Sequence, residues 1–363
     1  MTGGQVFGEA SENFTNSFMN TVGRGPYLWI NWPCTDNSKN HLIMGGYDTF
    51  LHPGVNPSKV EGIVLNPMQQ SEPSKVAIFG NACYSWNIWQ SKAEADEIWN
   101  DSFQYVDHNS SLTTQSSKAL RELSKHMINQ NMIGGGDNPV TPLDESVELK
   151  PKLDALKSAL NSHTATVEQV NELIQEFETL AKASQIYRNS GNQRIKEQIV
   201  YWLDCWDDTA GSAIAYLKAV KANIEGDSTT LLNQYSNGQK LFANSRTHAL
   251  WYRDHYQYAE VGVQRIVPFI KALDEYTSQQ VEMIANPDKK GEVNLSLEIS
   301  NDIVVAQGSL ADALDGNKET ETHFKAINAN AMPVGATVTL DIGSVQDIES
   351  VYIAQGMTKQ GIS

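Results

Sequence analysis

At 363 residues the chain has room for two or three domains, and its net charge of −16, with 27 Lys and Arg against 43 Asp and Glu, excludes broad nucleic-acid binding, which needs clustered cations. The same charge repels a polyanion such as intact hyaluronan at long range. No apolar run reaches the roughly 20 residues that span a bilayer. Cys34, Cys83 and Cys205 lie too far apart for a zinc site or a disulfide framework and read as small buried thiols.

In chain order, Thr2-Gly3-Gly4-Gln5-Val6 opens the sequence, and Ser11 to Val22 follows with Phe14, Phe18 and Val22 four apart, which predicts a helix. Pro26 and Pro33 bracket Tyr27 to Asn31, a β-branched and aromatic run too short for a helix, so a buried strand is expected. A period of two puts Trp29 and Asn31 on one face and Leu28 and Ile30 on the other. A helical turn is expected near Lys39 to Leu42, then a loop through His52 and Pro53, and a second strand at Gly62 to Leu65. Glu72 to Trp86 reads as a helix with Val76, Phe79 and Cys83 on one face and Pro73 in its first turn.

Polar residues just past the C-terminal ends of such strands are where (β/α) barrels and open α/β sheets keep their chemistry. That singles out Asn31, Asp36 and Asn66. Each also has an ordinary structural role open to it: Asn66 precedes Pro67 as turn residues do, and Asp36 can cap a helix starting near Lys39.

From Trp99 to Gln130 the pattern is helical and mixed, and Gly134 to Pro139 is a breaker that marks a boundary. Thr166 opens a capping box with Gln169, and Val167, Val170, Ile174, Phe177 and Ala181 form an apolar stripe behind it. Gln193 to Asn223, Ser228 to Asn244 and Ala249 to Ala285 supply further long helical segments, so a bundle is expected. Trp202, Trp206, Trp251 and Tyr256 read as core packing. Within the last segment, Arg253, Asp254 and His255 read as a solvated or interdomain helix face. The one Asp-Asp pair, Asp207 and Asp208, has helical spacing and is expected to face solvent. After Asn286 to Gly291 the period becomes two, with Val293, Leu295, Leu297 and Ile299 alternating with polar residues in a strand.

Three blocks in order, Trp29 to Asp36, His41 to Gly46 and Gly62 to Lys75, resemble glycoside hydrolase family 84, which includes bacterial hyaluronidase-like enzymes and O-GlcNAc-removing β-N-acetylglucosaminidases. The resemblance continues more weakly through Tyr258 to Gln264. It implies a multidomain chain: the C-terminal part of a (β/α)8 TIM barrel over 1–130, an α-helical bundle over 140–287 and a truncated β-sandwich over 291–363. The last part, in Ala313 to Asn317, Thr322 to Phe324 and Ala336 to Gly343, resembles the first half of a discoidin-like family 32 carbohydrate-binding module.

The resemblance implies that Asp36, Asn31 and Asn66 bind the sugar, that Trp29 walls the acetyl pocket, and that Thr2 and Val6 line the site. It implies a substrate-assisted β-N-acetylglucosaminidase acting without a catalytic cofactor on N-acetylglucosamine-containing glycans or glycoproteins. It also implies a secreted or cell-surface setting and a structural calcium near Asp315 and Thr320. Its paired catalytic aspartates match nothing here and are expected upstream of Met1, leaving the chain inactive alone. A carbohydrate-attachment protein without catalysis and a scaffold are the competing expectations.

Overall fold

The computed structural model describes residues 10–36, 40–108, 111–128, 144–285, 295–315, 320–327 and 335–341. Strands β1 (Tyr27–Ile30) and β2 (Gly62–Leu65) extend where the sequence predicts and pair in parallel, with Tyr27 opposite Gly62 and Ile30 opposite Leu65. Only one face of β1 is buried, through Leu28 and Ile30; Tyr27 and Trp29 are exposed, so the strand is half-buried rather than buried. Ahead of it runs α1 (Glu12–Val22), whose first turn is capped by the Ser11 hydroxyl accepting from the Phe14 amide, and which Gly23 ends in the left-handed region.

Between the strands lies the four-residue helix α2 (Tyr47–Phe50); of the turn expected near Lys39 to Leu42, Lys39 lies outside the described residues, Asn40 is in a turn, and His41 and Leu42 are irregular. The helix α3 (Lys75–Trp86) starts later than predicted. It buries Val76, Ala77, Gly80, Asn81 and Tyr84, whereas Phe79 and Cys83 are only half-buried. Gly80 is needed on that face: a Cβ there would lie 2.5 Å from the Tyr47 ring. Trp32, Tyr47, Phe50, Tyr84 and Trp89 pack into an aromatic cluster, with Trp32 stacked on Phe50 and Tyr47 on Trp89.

Two more helices follow, α4 (Lys92–His108) and α5 (Gln115–Ser124), then α6 (Lys150–Asn161), α7 (Val167–Ser190), α8 (Gln193–Glu225) and α9 (Ser228–Ser245). The Thr166–Gln169 capping box forms as predicted. The 33-residue α8 is the spine: α7, α9 and the last helix, α10 (Ile266–Ala285), all pack on it, and α5 packs on α7. One hydrophobic core runs from Ala10 to Leu273, so the strand pair and the helices share an interior within the unit Met1–Ala285.

The segment from Ala249 departs from the helix expected there. It folds as an antiparallel hairpin, β3 (Ala249–Tyr252) and β4 (His255–Tyr258), turning at Arg253 and Asp254 with Arg253 at φ 57°. Consequently the four aromatics do not share a core. Trp202 and Trp206 are fully buried, while Trp251 and Tyr256 stand exposed on one face of the ribbon.

His126, just beyond α5, is fully buried, bonded through Nδ1 to the Ser146 hydroxyl at 2.7 Å and set edge-on to Trp206. Burial, aided by the Lys125 charge, pushes its imidazole from 6.5 down to about 3. The unfolded chain therefore takes up a proton below pH 6.5 that the folded chain refuses until about pH 3, and stability falls with pH across that window. Urea titrations at pH 6.5 and pH 5 are expected to show stability lower at pH 5 by roughly 1 to 2 kcal/mol from this group, a difference that His126→Gln reduces.

The second unit, Asn286–Ser363, contains two antiparallel pairs: β5 (Ser296–Ile299) with β8 (Val338–Asp341), and β6 (Ile303–Gln307) with β7 (His323–Ala326), the latter interrupted by a bulge between Val305 and Gln307. The predicted strand is β5; Val293 lies outside the described residues and Leu295 precedes the strand.

Candidate functional site

The parallel register fixes the first feature of the site. Because Ile30 sits opposite Leu65, the next residue of each strand, Asn31 and Asn66, emerges at the same level, and the Asn66 amide donates to the Ile30 carbonyl at 3.0 Å. The two side chains meet: Asn66 Nδ2 donates to Asn31 Oδ1 at 3.2 Å. Trp29, two residues before Asn31 on the same face, donates its indole Nε1–H to that same oxygen at 2.7 Å.

The Trp32–Pro33 peptide is cis, and beyond it the chain brings Cys34 beneath this network. Asn66 Nδ2 also donates to Cys34 Sγ at 3.4 Å. Burial, with the Asp36 carboxylate close by, pushes the Cys34 thiol up to about 11, so it stays protonated at neutral pH. Asp36 itself is exposed, at the solvent edge of the cluster. Trp29, Asn31, Asn66 and Asp36 thus converge on one strand end, and Thr2 and Val6 lie outside the described residues.

The loops that carry these residues are tied down from the helical half of the unit. The Asn40 carbonyl accepts from Trp202 Nε1 and from the Glu260 amide, each at 2.9 Å. His41 Nε2 pairs with the Glu260 carboxylate at 2.8 Å, a contact that holds the Glu260 pKa below the usual carboxylate range. On the other strand's loop, Gln69 donates to the buried Gln257 at 2.8 Å, and the Glu72 amide donates to Gln198 at 2.8 Å.

Cys34 is the small buried thiol the sequence leads one to expect, and only its contact with Asn66 is new. Gln257 and Glu260 are not expected at the site; Gln257 sits in the hairpin where the sequence suggests a helix. Glu260 alone had a signal, in the weaker resemblance through Tyr258 to Gln264.

Asp207 and Asp208 are not a working pair. Asp207 binds Arg188 at 3.0 Å, Asp208 binds His248 at 2.7 Å, and the two carboxylates serve different partners. In the second unit the Thr320 hydroxyl donates to Asp315 at 2.7 Å, while Gly316 to Glu319 lie outside the described residues. Calcium takes about six to eight oxygens. Among the described residues no group of three or more His, Cys, Asp or Glu is placed to hold a metal ion.

A profile of the β-N-acetylglucosaminidase family matches residues 1–125, the segment that holds the whole cluster. CpGH84D superimposes with a TM-score of 0.67 at 28% identity, over 76% of this chain and 44% of that one. Residues 1–125 are thus similar to the β-N-acetylglucosaminidase family, and the chain to a solved family 84 structure. Two further structures support the fold alone: CpGH84B, with a TM-score of 0.57 at 18% identity over 73% and 42% of the two chains, and a mutant of the Thermobaculum terrenum O-GlcNAc hydrolase, with 0.59 at 13% over 79% and 56%. This chain spans about half the length of these family 84 relatives.

Proposed function

We propose that the chain carries the sugar-holding end of a family 84 β-N-acetylglucosaminidase site. The observation that carries this reading is the convergence of Asn31, Asn66 and Trp29, with Asp36 at the rim, at the C-terminal ends of two parallel strands. In this reading β1 and β2 are late strands of a (β/α)8 barrel. The substrate is a terminal β-linked N-acetylglucosamine on a glycan or glycoprotein, in the secreted setting of the bacterial enzymes.

Asp36 accepts hydrogen bonds from sugar hydroxyls; a charged acceptor makes these stronger than neutral ones. The asparagine amides set the angle of the ring, and Trp29 walls the acetyl group. Catalysis is substrate-assisted: the acetamide oxygen attacks the anomeric carbon, an oxazoline forms as the leaving group departs with a proton, and water then opens it with retention. This is the exception to the scheme in which an enzyme carboxylate is the nucleophile. The aspartates that polarise the acetamide and move the proton belong, in this reading, to a barrel strand outside these 363 residues.

Release of a chromogenic phenol from its β-N-acetylglucosaminide tests this. No turnover is expected from the chain alone, and turnover is expected when the same chain is produced joined to a complete family 84 barrel N-terminal half. Hydrolysis by the isolated chain would mean that a carboxylate within it does the chemistry. Inactivity of the joined protein, with sugar binding that depends only on Asn286–Ser363, would favour an attachment role.

A further inference from the structure

The indole N–H of Trp29 is a donor with no acceptor function, and this one chemical fact sets the polarity of the whole cluster. Whatever lies 2.7 Å from that nitrogen must accept, so the Asn31 carboxamide is held with Oδ1 toward Trp29. The Asn66 atom 3.2 Å from Asn31 Oδ1 must then donate, so Asn66 turns its Nδ2 inward. Its second amide hydrogen is directed to Cys34 Sγ at 3.4 Å. Both Asn66 donors are thus engaged by the protein, and its Oδ1 is the end left to the sugar.

We infer that Trp29 is a positioning residue that, relayed through Asn31, locks Asn66 into presenting an acceptor, so that the site selects ligand hydroxyls able to donate. The inference rests on the sugar-site reading and deepens it. An asparagine by itself offers donor or acceptor by rotating its amide, and cannot discriminate. Locked by Trp29, and set beside the anionic Asp36, Asn66 Oδ1 presents an acceptor that discriminates, at the ligand position it faces, against a group able only to accept. A site built to pair a substrate donor discriminates strongly against an analogue without it, because its own acceptor is left unpaired.

Calorimetric titration of the chain with N-acetylglucosamine and a panel of its mono-deoxyfluoro analogues tests this, since fluorine keeps the size of the hydroxyl but cannot donate. Wild type is expected to lose about tenfold in affinity on at least one analogue. Trp29→Phe keeps a ring and deletes the donor; it is expected to weaken N-acetylglucosamine about fivefold and to shrink the fluoro penalty to about twofold. Trp29 is half-exposed, so the Tm of the variant should stay within about 2 °C of wild type. Asp36→Ala is the control for the site itself. Unchanged affinity and unchanged fluoro penalties in Trp29→Phe, with binding lost in Asp36→Ala, would overturn the polarity relay and leave the sugar site standing. Full binding by Asp36→Ala, or none by wild type, would overturn both.

Discussion

Asp107→Ala is expected to destabilise the unit Met1–Ala285 by about 3 to 5 kcal/mol, read as a lower midpoint in urea with little change in slope. Asp107 is completely buried at the end of α4, and its two carboxylate oxygens are held by three donors and flanked by His108. Oδ1 accepts from the Tyr187 hydroxyl at 3.0 Å and the Asn192 amide at 2.8 Å; Oδ2 accepts from the Ser116 hydroxyl at 2.7 Å and faces His108 Nε2 at 2.9 Å. One side chain thereby joins α4 to the start of α5, the end of α7 and the N-cap of α8.

Truncation would take the acceptor from the buried Tyr187 hydroxyl and from the Asn192 backbone amide, and that penalty exceeds the modest net worth of the bonds when made. The Tyr187 hydroxyl cannot adapt by ionising, because burial by itself pushes its pKa up. Asp107→Asn keeps one oxygen and should cost less than alanine.

How far the molecule can be read from its sequence depends on whether local pattern or distant contact decides each element. The strands β1 and β2 are local: two prolines, a short β-branched and aromatic run and alternation suffice, and the meeting of Asn31 with Asn66 follows once the strands are taken as parallel neighbours. The caps at Ser11 and Thr166 are local in the same way.

The hairpin is not. Its turn, Arg253-Asp254, lacks the glycine or asparagine that marks a positive φ, and Arg253 adopts one all the same. What ties the ribbon to the rest of the unit is remote, Gln257 on Gln69. Alternation was present in Leu250, Tyr252 and Gln257 against Trp251 and Tyr256, but the long apolar segment after it masked the change of period. The place of Cys34 beneath Asn66 was illegible for a different reason: it depends on the course of the chain past Pro33, which no spacing rule describes. The outer face of β1 was called buried because its composition is apolar, yet Tyr27 and Trp29 are 60% and 48% exposed.

If the cluster at the ends of β1 and β2 grips N-acetylglucosamine, its charged and exposed member, Asp36, is the side chain whose loss shows it. Asp36 supplies the only full charge among the predicted sugar contacts. Losing a charge-assisted bond to a hydroxyl is worth about 1.5 to 3 kcal/mol, a fall in affinity of about ten to a hundredfold. Because Asp36 is exposed, alanine there should leave the fold intact, so the effect can be read as binding alone. Calorimetric titration of N-acetylglucosamine into the wild-type chain and into Asp36→Ala is therefore the most direct measurement. Saturable binding by wild type that disappears in the variant, with equal melting temperatures, is the expected result; equal binding by both proteins would contradict the site.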